Sequence, residues 1–384
     1  MSMDSLIRQS AASSSVISLG GGLPAPELFP RKRLTDAFMT AMRDPTCAAL
    51  QYDWPEGQGC LREWVAQRLR QRGARVDRSD VIITAGAQQG IALAAHYLLP
   101  AGARVRVAAE TYPAALDLFR RRKAELRIDD EAADCVYFMD GIGNPHGLVP
   151  DARQRAHVVA EGLPLIVDEA YAELSFDGSR LRPLIADAPD RVWHIGTLSK
   201  TLCPGLRIGW LVPPRSMLER TVELKQTMDL QSSSLSQVVV ESYLASEDFD
   251  ARLARAREFY KRRAKALCAA MRRRLPDWHF AEPSGGFAVF AEVDHPAVHP
   301  TDDEEWLRTA IEHGVAFDPG SLFRVRPNPR ALAMRLCYSS TKVPDLLEAV
   351  HRLERAWSAF RSRRAGSVHT STMEHAATAS PALS

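Results

Sequence analysis

The sequence predicts an α/β protein: a mostly parallel seven-stranded sheet (six-stranded if one edge is lost) sandwiched by helices, plus a smaller α+β domain. Three observations carry this. Short apolar runs alternate with helical patterns between residues 81 and 195, the signature of strands covered by helices. The later chain changes to short strands interleaved with two helices. And 384 residues exceed what one hydrophobic core usually serves.

In chain order, residues 1–15 are polar and Ser-rich and read as a mobile arm. From Gln58 to Arg72, Leu61, Trp64, Val65 and Leu69 share one helical face, and Gly73 is placed to end that helix. Val81-Ile82-Ile83 reads as a strand and is followed by a helix from Gln88 to Leu98. Val105-Arg106-Val107 precedes a helix from Ala114 to Lys123. Val136-Tyr137-Phe138, Leu165-Ile166-Val167 and Val192-Trp193-His194-Ile195 continue the series. Leu235–Arg274 is helical and charge-rich, long enough to bridge two domains. Strands follow at His279-Phe280, Phe287–Phe290, Val315–Phe317 and Met334–Cys337, with helices starting near Asp302 and Pro344. The expected division is a small domain from residues 16–45 and 275–361, a large one from 46–274, and a disordered tail over 362–384, where hydrophobic periodicity stops.

Hydrophobic residues make up 46% and charged residues 25%, as in a globular protein with a substantial core, and the net charge is only +2. A nucleic-acid partner held by a broad basic field is therefore not expected. The six cysteines are scattered without metal-ligand or redox spacing, so no metal site is expected, and they read as buried small apolar residues of a reducing compartment. No apolar run reaches the ~18 residues of a membrane span, and no signal core opens the chain. The expectation is a cytoplasmic protein without a membrane partner.

The chemistry concentrates in Thr197-Leu198-Ser199-Lys200-Thr201-Leu202-Cys203-Pro204-Gly205-Leu206-Arg207. A lysine amine can attack a carbonyl, while Thr197, Ser199 and the planar fork of Arg207 suit a phosphate. A plain polar loop is the other reading. Thr84–Gly90 lies between a strand and a helix, where Gly86 permits close approach, Ala87 and Gln88 head the helix, and Gln88 adds a side-chain donor. Asp168 ends an apolar strand, where ligands of open α/β sheets bind, and either pairs with a cationic nitrogen or caps the next turn. Tyr171, Asn144 in Asn144-Pro145-His146-Gly147, and Tyr112 lie at or beyond other strand ends. Each fits a cofactor contact, and equally a turn or core role. Arg335 is a charge inside the apolar Met334–Cys337 run. It is either solvent-facing or, unpartnered, a binder of a ligand carboxylate. Gly20-Gly21-Gly22 could offer backbone N–H groups to that ligand.

Taken in order, Gly20–Pro24, Tyr52 with Gly57 and Leu61-Arg62, Gly86–Gln89, Thr111-Tyr112, Asn144-Pro145 with Gly147, Asp168–Tyr171, Thr197–Arg207, Gly285-Gly286 and Arg335 resemble the fold-type I pyridoxal phosphate (PLP) enzymes. Among these the chain is most similar to class I/II aminotransferases of the 2-aminoadipate and kynurenine group, and to the aminotransferase domain of MocR regulators. No helix-turn-helix module of such a regulator is expected. The resemblance implies PLP as cofactor and a Schiff base on Lys200, which also shuttles a proton. It implies that Asp168 keeps the pyridine nitrogen protonated, Asn144 and Tyr171 bind the phenolate oxygen, and Tyr112 stacks on the ring. Gly86, Ala87, Gln88, Thr197, Ser199 and Arg207 would form the phosphate cup, and Tyr52 would reach the neighbouring subunit of a homodimer with shared active sites. Arg335 would take the substrate α-carboxylate, with Gly22 and Asn144 beside it.

Three departures from that pattern stand out. Glu110 replaces a proline before Thr111-Tyr112, and His146 replaces a threonine after Asn144-Pro145, as an acid/base or specificity group or as a solvent-facing turn residue. The segment from Tyr112 to Asn144 is also short. A parallel crossover usually takes a dozen residues or more, whereas Asp129–Cys135 spans at most about 25 Å extended. Glu125–Ile128 is therefore expected as a loop or detached strand, with the edge guarded by Arg120-Arg121-Arg122-Lys123. The functional expectation is amino transfer between an L-amino acid and a 2-oxo acid. Other PLP chemistry (cyclisation, elimination or oxidation) and a catalytically idle ligand-binding regulator remain as alternatives.

Overall fold

The computed structural model describes residues 15–129, 131–296, 298–326 and 331–377. All but the last residue of the expected N-terminal arm lies outside these. The chain divides into two compact units: a larger one of Leu23–Arg262 with Pro283–Phe287, and a smaller one of the chain up to Gly22, Arg263–Glu282 and Ala288 onward.

Strand β1 (Ile17–Ser18) belongs to the smaller unit. The larger is built on β2 (Ile82–Thr84), β3 (Arg104–Arg106), β4 (Glu125–Arg127), β5 (Cys135–Met139), β6 (Leu165–Asp168), β7 (Val192–Thr197) and β8 (Gly209–Val212). They form one seven-stranded sheet in the order β2-β8-β7-β6-β5-β3-β4. Every residue of β6 and β7 is buried, as expected of strands covered on both faces. β8 runs antiparallel to β2 and β7, and the remaining pairs are parallel. Helix Gly59–Gln71 buries Leu61, Val65 and Leu69 as the periodicity requires. It ends at Gly73, whose φ of 93° lets Gly73 and Ala74 donate to the carbonyls of Arg70 and Leu69.

The expected loss of the edge strand is overturned. β4 pairs in parallel with β3, Arg104–Arg106 against Glu125–Arg127, so the sheet is not shortened. The crossover alone is abbreviated: no helix stands between β4 and β5 among the described residues. Strands of three residues are only about 10 Å long, and β5 lies two strand spacings (about 10 Å) from β4. Seven residues cover that diagonal without a helix, and Asp134 anchors the return by accepting from the Arg104 backbone N–H at 2.8 Å and its guanidinium at 2.7 Å. Of the basic run, Arg122 does something else: it donates to the carbonyls of Leu99 and His96 at the end of helix Ala87–Leu98.

The domain boundaries also move. Helix Arg31–Arg43, assigned above to the small domain, packs Ala37 and Ala41 into the larger unit's core against helix Ser234–Ser246. The single long helix expected over 235–274 is two, Ser234–Ser246 and Phe249–Arg274, and Asp248 caps the second by accepting from Ala251 N–H. Pro283–Phe287 joins the larger unit because Phe176 N–H donates to Ser284 O and Ser284 N–H to Gly147 O.

In the smaller unit, β9 (His279–Phe280), β10 (Ala288–Val293), β12 (Asp318–Pro319) and β13 (Leu332–Cys337) form an antiparallel sheet, and β11 (Val315–Ala316) pairs in parallel with β1. Trp306 of helix Asp303–Glu312 meets Trp357 and Phe360 of helix Val343–Ala377 edge-on or tilted. That last helix overruns the expected tail: residues 362–377 are helical, and 378–384 lie outside the described residues. Once Leu346, Val350, Leu353 and Phe360 have fixed the packed turns, elongation is easy, and Pro381 is the first proline beyond them. Of the cysteines, all free, Cys47 and Cys60 are exposed rather than buried. Cys60 falls in the first turn of its helix, off the Leu61–Val65 face.

Candidate active site

Lys200 sits in the connection between β7 and β8. Thr197 Oγ1 donates to Ile208 O at 2.7 Å and accepts from Ser199 N–H at 3.1 Å, while Leu202 N–H donates to Leu198 O, so the backbone is tied on both sides of the lysine. The Thr197 hydroxyl, expected on a phosphate, spends its proton closing this turn.

Arg207, in the left-handed region at φ 55°, directs Nη2 to Ala85 O at 2.8 Å. Ala85 lies in the turn between β2 and helix Ala87–Leu98, so the two glycine- and hydroxyl-bearing stretches meet as the sequence suggested. Gly86 makes the approach possible. At φ 92°, a Cβ there would stand 2.5 Å from Arg207 Nη2. The Gln88 amide is partly engaged elsewhere: its Nε2 donates to Ala114 O at 3.1 Å and its Oε1 is buried without a partner. Behind the turn, Ala85 N–H donates to Gln89 Oε1, Gln89 Nε2 to Asp229, and the fully buried Lys225 to the same carboxylate at 3.0 Å.

Asp168 closes β6 in register with Met139 and Ile195, at the C-terminal ends of neighbouring strands. Its Oδ1 accepts from Ala170 N–H at 2.9 Å and its Oδ2 from the Tyr137 hydroxyl at 2.8 Å. Burial pushes its pKa up, while the Tyr137 bond, the Ala170 N–H and the Lys200 charge pull it down. Tyr137 was missed as a site residue. Its apolar strand context signals core, and only the fold reveals the Asp168 contact.

These groups surround one cavity that opens to solvent. Lys200, Asp168, Tyr171, Asn144 and Tyr112 line it with Ala87, Gln88, Thr197, Ser199 and Arg207. Met139, Ala170 and Pro204 also line it, signalled beforehand only by their place beside strand ends and the Pro-Gly turn. Lys200 Nζ is 5.2 Å from the Tyr171 ring centroid, and Tyr171 packs edge-on against Phe287. His146 Nε2 lies 3.6 Å from Glu110 Oε2, so the two substituted motif positions meet. Tyr52 stands exposed, 78% accessible.

Gly22 and Arg335 belong to the smaller unit. Arg335 is buried but not unpartnered, which corrects that premise. Asp318, opposite it on β12, accepts from Arg335 Nη2 at 2.6 Å and Nε at 3.1 Å and also from Gly21 N–H. The guanidinium stacks 4.5 Å over Phe323.

The donor set fits PLP. An anion meets the Ser199 hydroxyl, the Arg207 fork and a helix N-terminus. The buried Asp168, whose pKa burial raises, suits a cationic ring nitrogen, and the Lys200 amine suits an aldehyde.

A family model described as aminotransferase class I and II matches residues 32–353. The 2-aminoadipate transaminase of Thermus thermophilus is 33% identical over 367 residues, covering 89% of this chain and 90% of that protein. Aromatic-amino-acid aminotransferase 1 of Thermococcus litoralis is 30% identical over 369 residues, covering 88% and 87%. Among solved structures, the Thermus thermophilus α-aminoadipate aminotransferase LysN, complexed with N-(5'-phosphopyridoxyl)-L-leucine, superposes with a TM-score of 0.83 at 30% identity, covering 93% of this chain and 95% of that one.

Proposed function

The chain belongs to the class I and II aminotransferases, PLP-dependent enzymes that exchange an amino group between an amino acid and a 2-oxo acid, and we propose that Lys200 carries its cofactor and its proton transfers. One observation carries this reading: a single cavity is lined by the Lys200 amine, the buried Asp168 carboxylate and the Ser199–Arg207–helix anion set. When bound, PLP supplies an aldehyde that condenses with amines and a ring that withdraws electrons from the carbon bearing the nitrogen.

The chain's own residues divide the remaining work. Arg207, Ser199 and the backbone N–H groups of Ala87 and Gln88 hold the phosphate, with Gly86 giving Arg207 its room. Asp168 keeps the ring nitrogen protonated, and Tyr137 keeps Asp168 ionised and oriented. Asn144 and Tyr171 donate to the phenolate oxygen, and Tyr112 covers the ring. Lys200 Nζ, once free of the cofactor, would move the proton between the substrate Cα and the cofactor carbon that bore the aldehyde. Arg335, held by Asp318, takes the substrate α-carboxylate, with Gly22 beside it.

We also infer a homodimer with shared active sites. Leu50, Tyr52 and Trp54 form an exposed apolar run, 62%, 78% and 77% accessible in the single chain, which a second copy would cover as Tyr52 reaches its phosphate. A cytoplasmic location is supported by six free thiols. Among the described residues, no helix is long and apolar enough to cross a membrane.

The deciding experiment adds a panel of L-amino acids to the purified holoenzyme without any oxo acid. Amino transfer consumes the bound pyridoxal absorption, releases one oxo acid per site, and is reversed by a 2-oxo acid. A released keto product with the absorption retained would point to elimination, and silence with every amino acid to a binding protein.

A further inference from the structure

Glu110 and His146 are distant in sequence, yet His146 Nε2 lies 3.6 Å from Glu110 Oε2. Each is two residues from a side chain that lines the cavity: Glu110 from Tyr112, His146 from Asn144. The two loops leave neighbouring parallel strands, β3 and β5, at their C-terminal ends. The loop of Asn144 is closed on itself by Gly143 N–H to Leu148 O and Gly147 N–H to Gly143 O, both 2.8 Å. The loop of Tyr112 runs into helix Pro113–Arg121, whose Ala114 carbonyl takes the Gln88 amide. Each loop carries bracing bonds of its own, and the Glu110–His146 contact joins the two.

We propose that Glu110 and His146 are a positioning pair that sets the separation of Tyr112 and Asn144 and so tightens their hold on bound PLP. The inference rests on the reading above that Tyr112 and Asn144 contact the cofactor ring. The pair is partly exposed, the His146 side chain 38% and the Glu110 side chain 22%. At 3.6 Å the two side chains touch beyond ordinary hydrogen-bond range. Breaking it should therefore loosen the loops without unfolding the chain.

The test measures PLP release from the holoenzyme diluted into a carbonyl trap. Glu110→Gln and His146→Asn should each speed release about three- to fivefold, the range of a partly exposed pair. The double variant should add little to either single change, because both remove the same contact. Exchanging the partners, Glu110→His with His146→Glu, should restore release to within about twofold. The thermal midpoint of the PLP-free chain should stay at the wild-type value, whereas a merely structural role would lower it. Unchanged release in the single variants, additive effects in the double, or a lowered PLP-free midpoint would overturn the proposal. Tyr112→Ala and Asn144→Ala run alongside separate the two levels. If they speed release while the Glu110 and His146 variants do not, only the tie fails. If they too change nothing, the ring contacts fail and the tie falls with them.

Discussion

Tyr137 donates its hydroxyl to Asp168 Oδ2 across 2.8 Å, with both residues buried. A donor to the charged form opposes the upward push of burial on Asp168. Tyr137→Phe should let the Asp168 pKa rise further and weaken its hold on a cationic ring nitrogen. PLP affinity should fall about tenfold, the loss of one hydrogen bond to a charged group. A cofactor titration giving wild-type affinity would remove Tyr137 from the site.

Two lysines lie near the anion-binding turns, and the structure separates them. Lys225 is fully buried and donates to Asp229, whereas Lys200 lines the cavity. Borohydride reduction of the holoenzyme followed by peptide mapping should place the pyridoxyl group on Lys200, and Lys200→Ala should abolish it. Label on Lys225 would sink the assignment.

The Asp318 partner changes what Arg335→Ala would do. Breaking a buried pair leaves a buried carboxylate without its charge partner, a cost of about 3–5 kcal/mol, so this variant should lose stability as well as turnover. Arg335→Ala with Asp318→Asn should recover much of the stability but not the activity. Urea midpoints and initial rates report the two separately. If the double variant regains turnover, Arg335 binds no carboxylate.

His194 is buried on β7, 3.7 Å from Glu169, and burial together with the Arg72 charge holds its pKa down to about 3. It is therefore neutral at working pH, and that contact is no ion pair. The unfolded chain takes up a proton below about pH 6.5 while the folded chain does not. His194 thus contributes stability that is fully present above that value and lost as pH falls toward 3. Relative to His194→Gln, the wild-type protein should lose about 2 kcal/mol between pH 7.5 and 5, read from urea midpoints. A pH-independent difference would contradict the neutral assignment.

The sequence by itself determined most strands of the large sheet and most of the residues that line the cavity, because both are written locally. Alternation of apolar runs with helical faces marks β2, β3 and β5 to β7, and the residues that line the cavity gather near strand ends, where Asp168, Asn144 and Lys200 lie. Short motifs such as Thr197–Arg207 keep their chemistry within one turn, so they are legible before any folding.

What only the tertiary structure decided is pairing. Glu125–Arg127 looked unable to join the sheet, yet three-residue strands make the crossover short enough for it to stay. Arg335 looked unpartnered until β12 set Asp318 opposite it, and Tyr137 looked like plain core until β5 and β6 brought it to Asp168. Helix Arg31–Arg43 went to the unit whose core takes Ala37 and Ala41. A side chain's type and local period are fixed by its neighbours in sequence. Its partner is fixed by close packing over long separations, which no local pattern records.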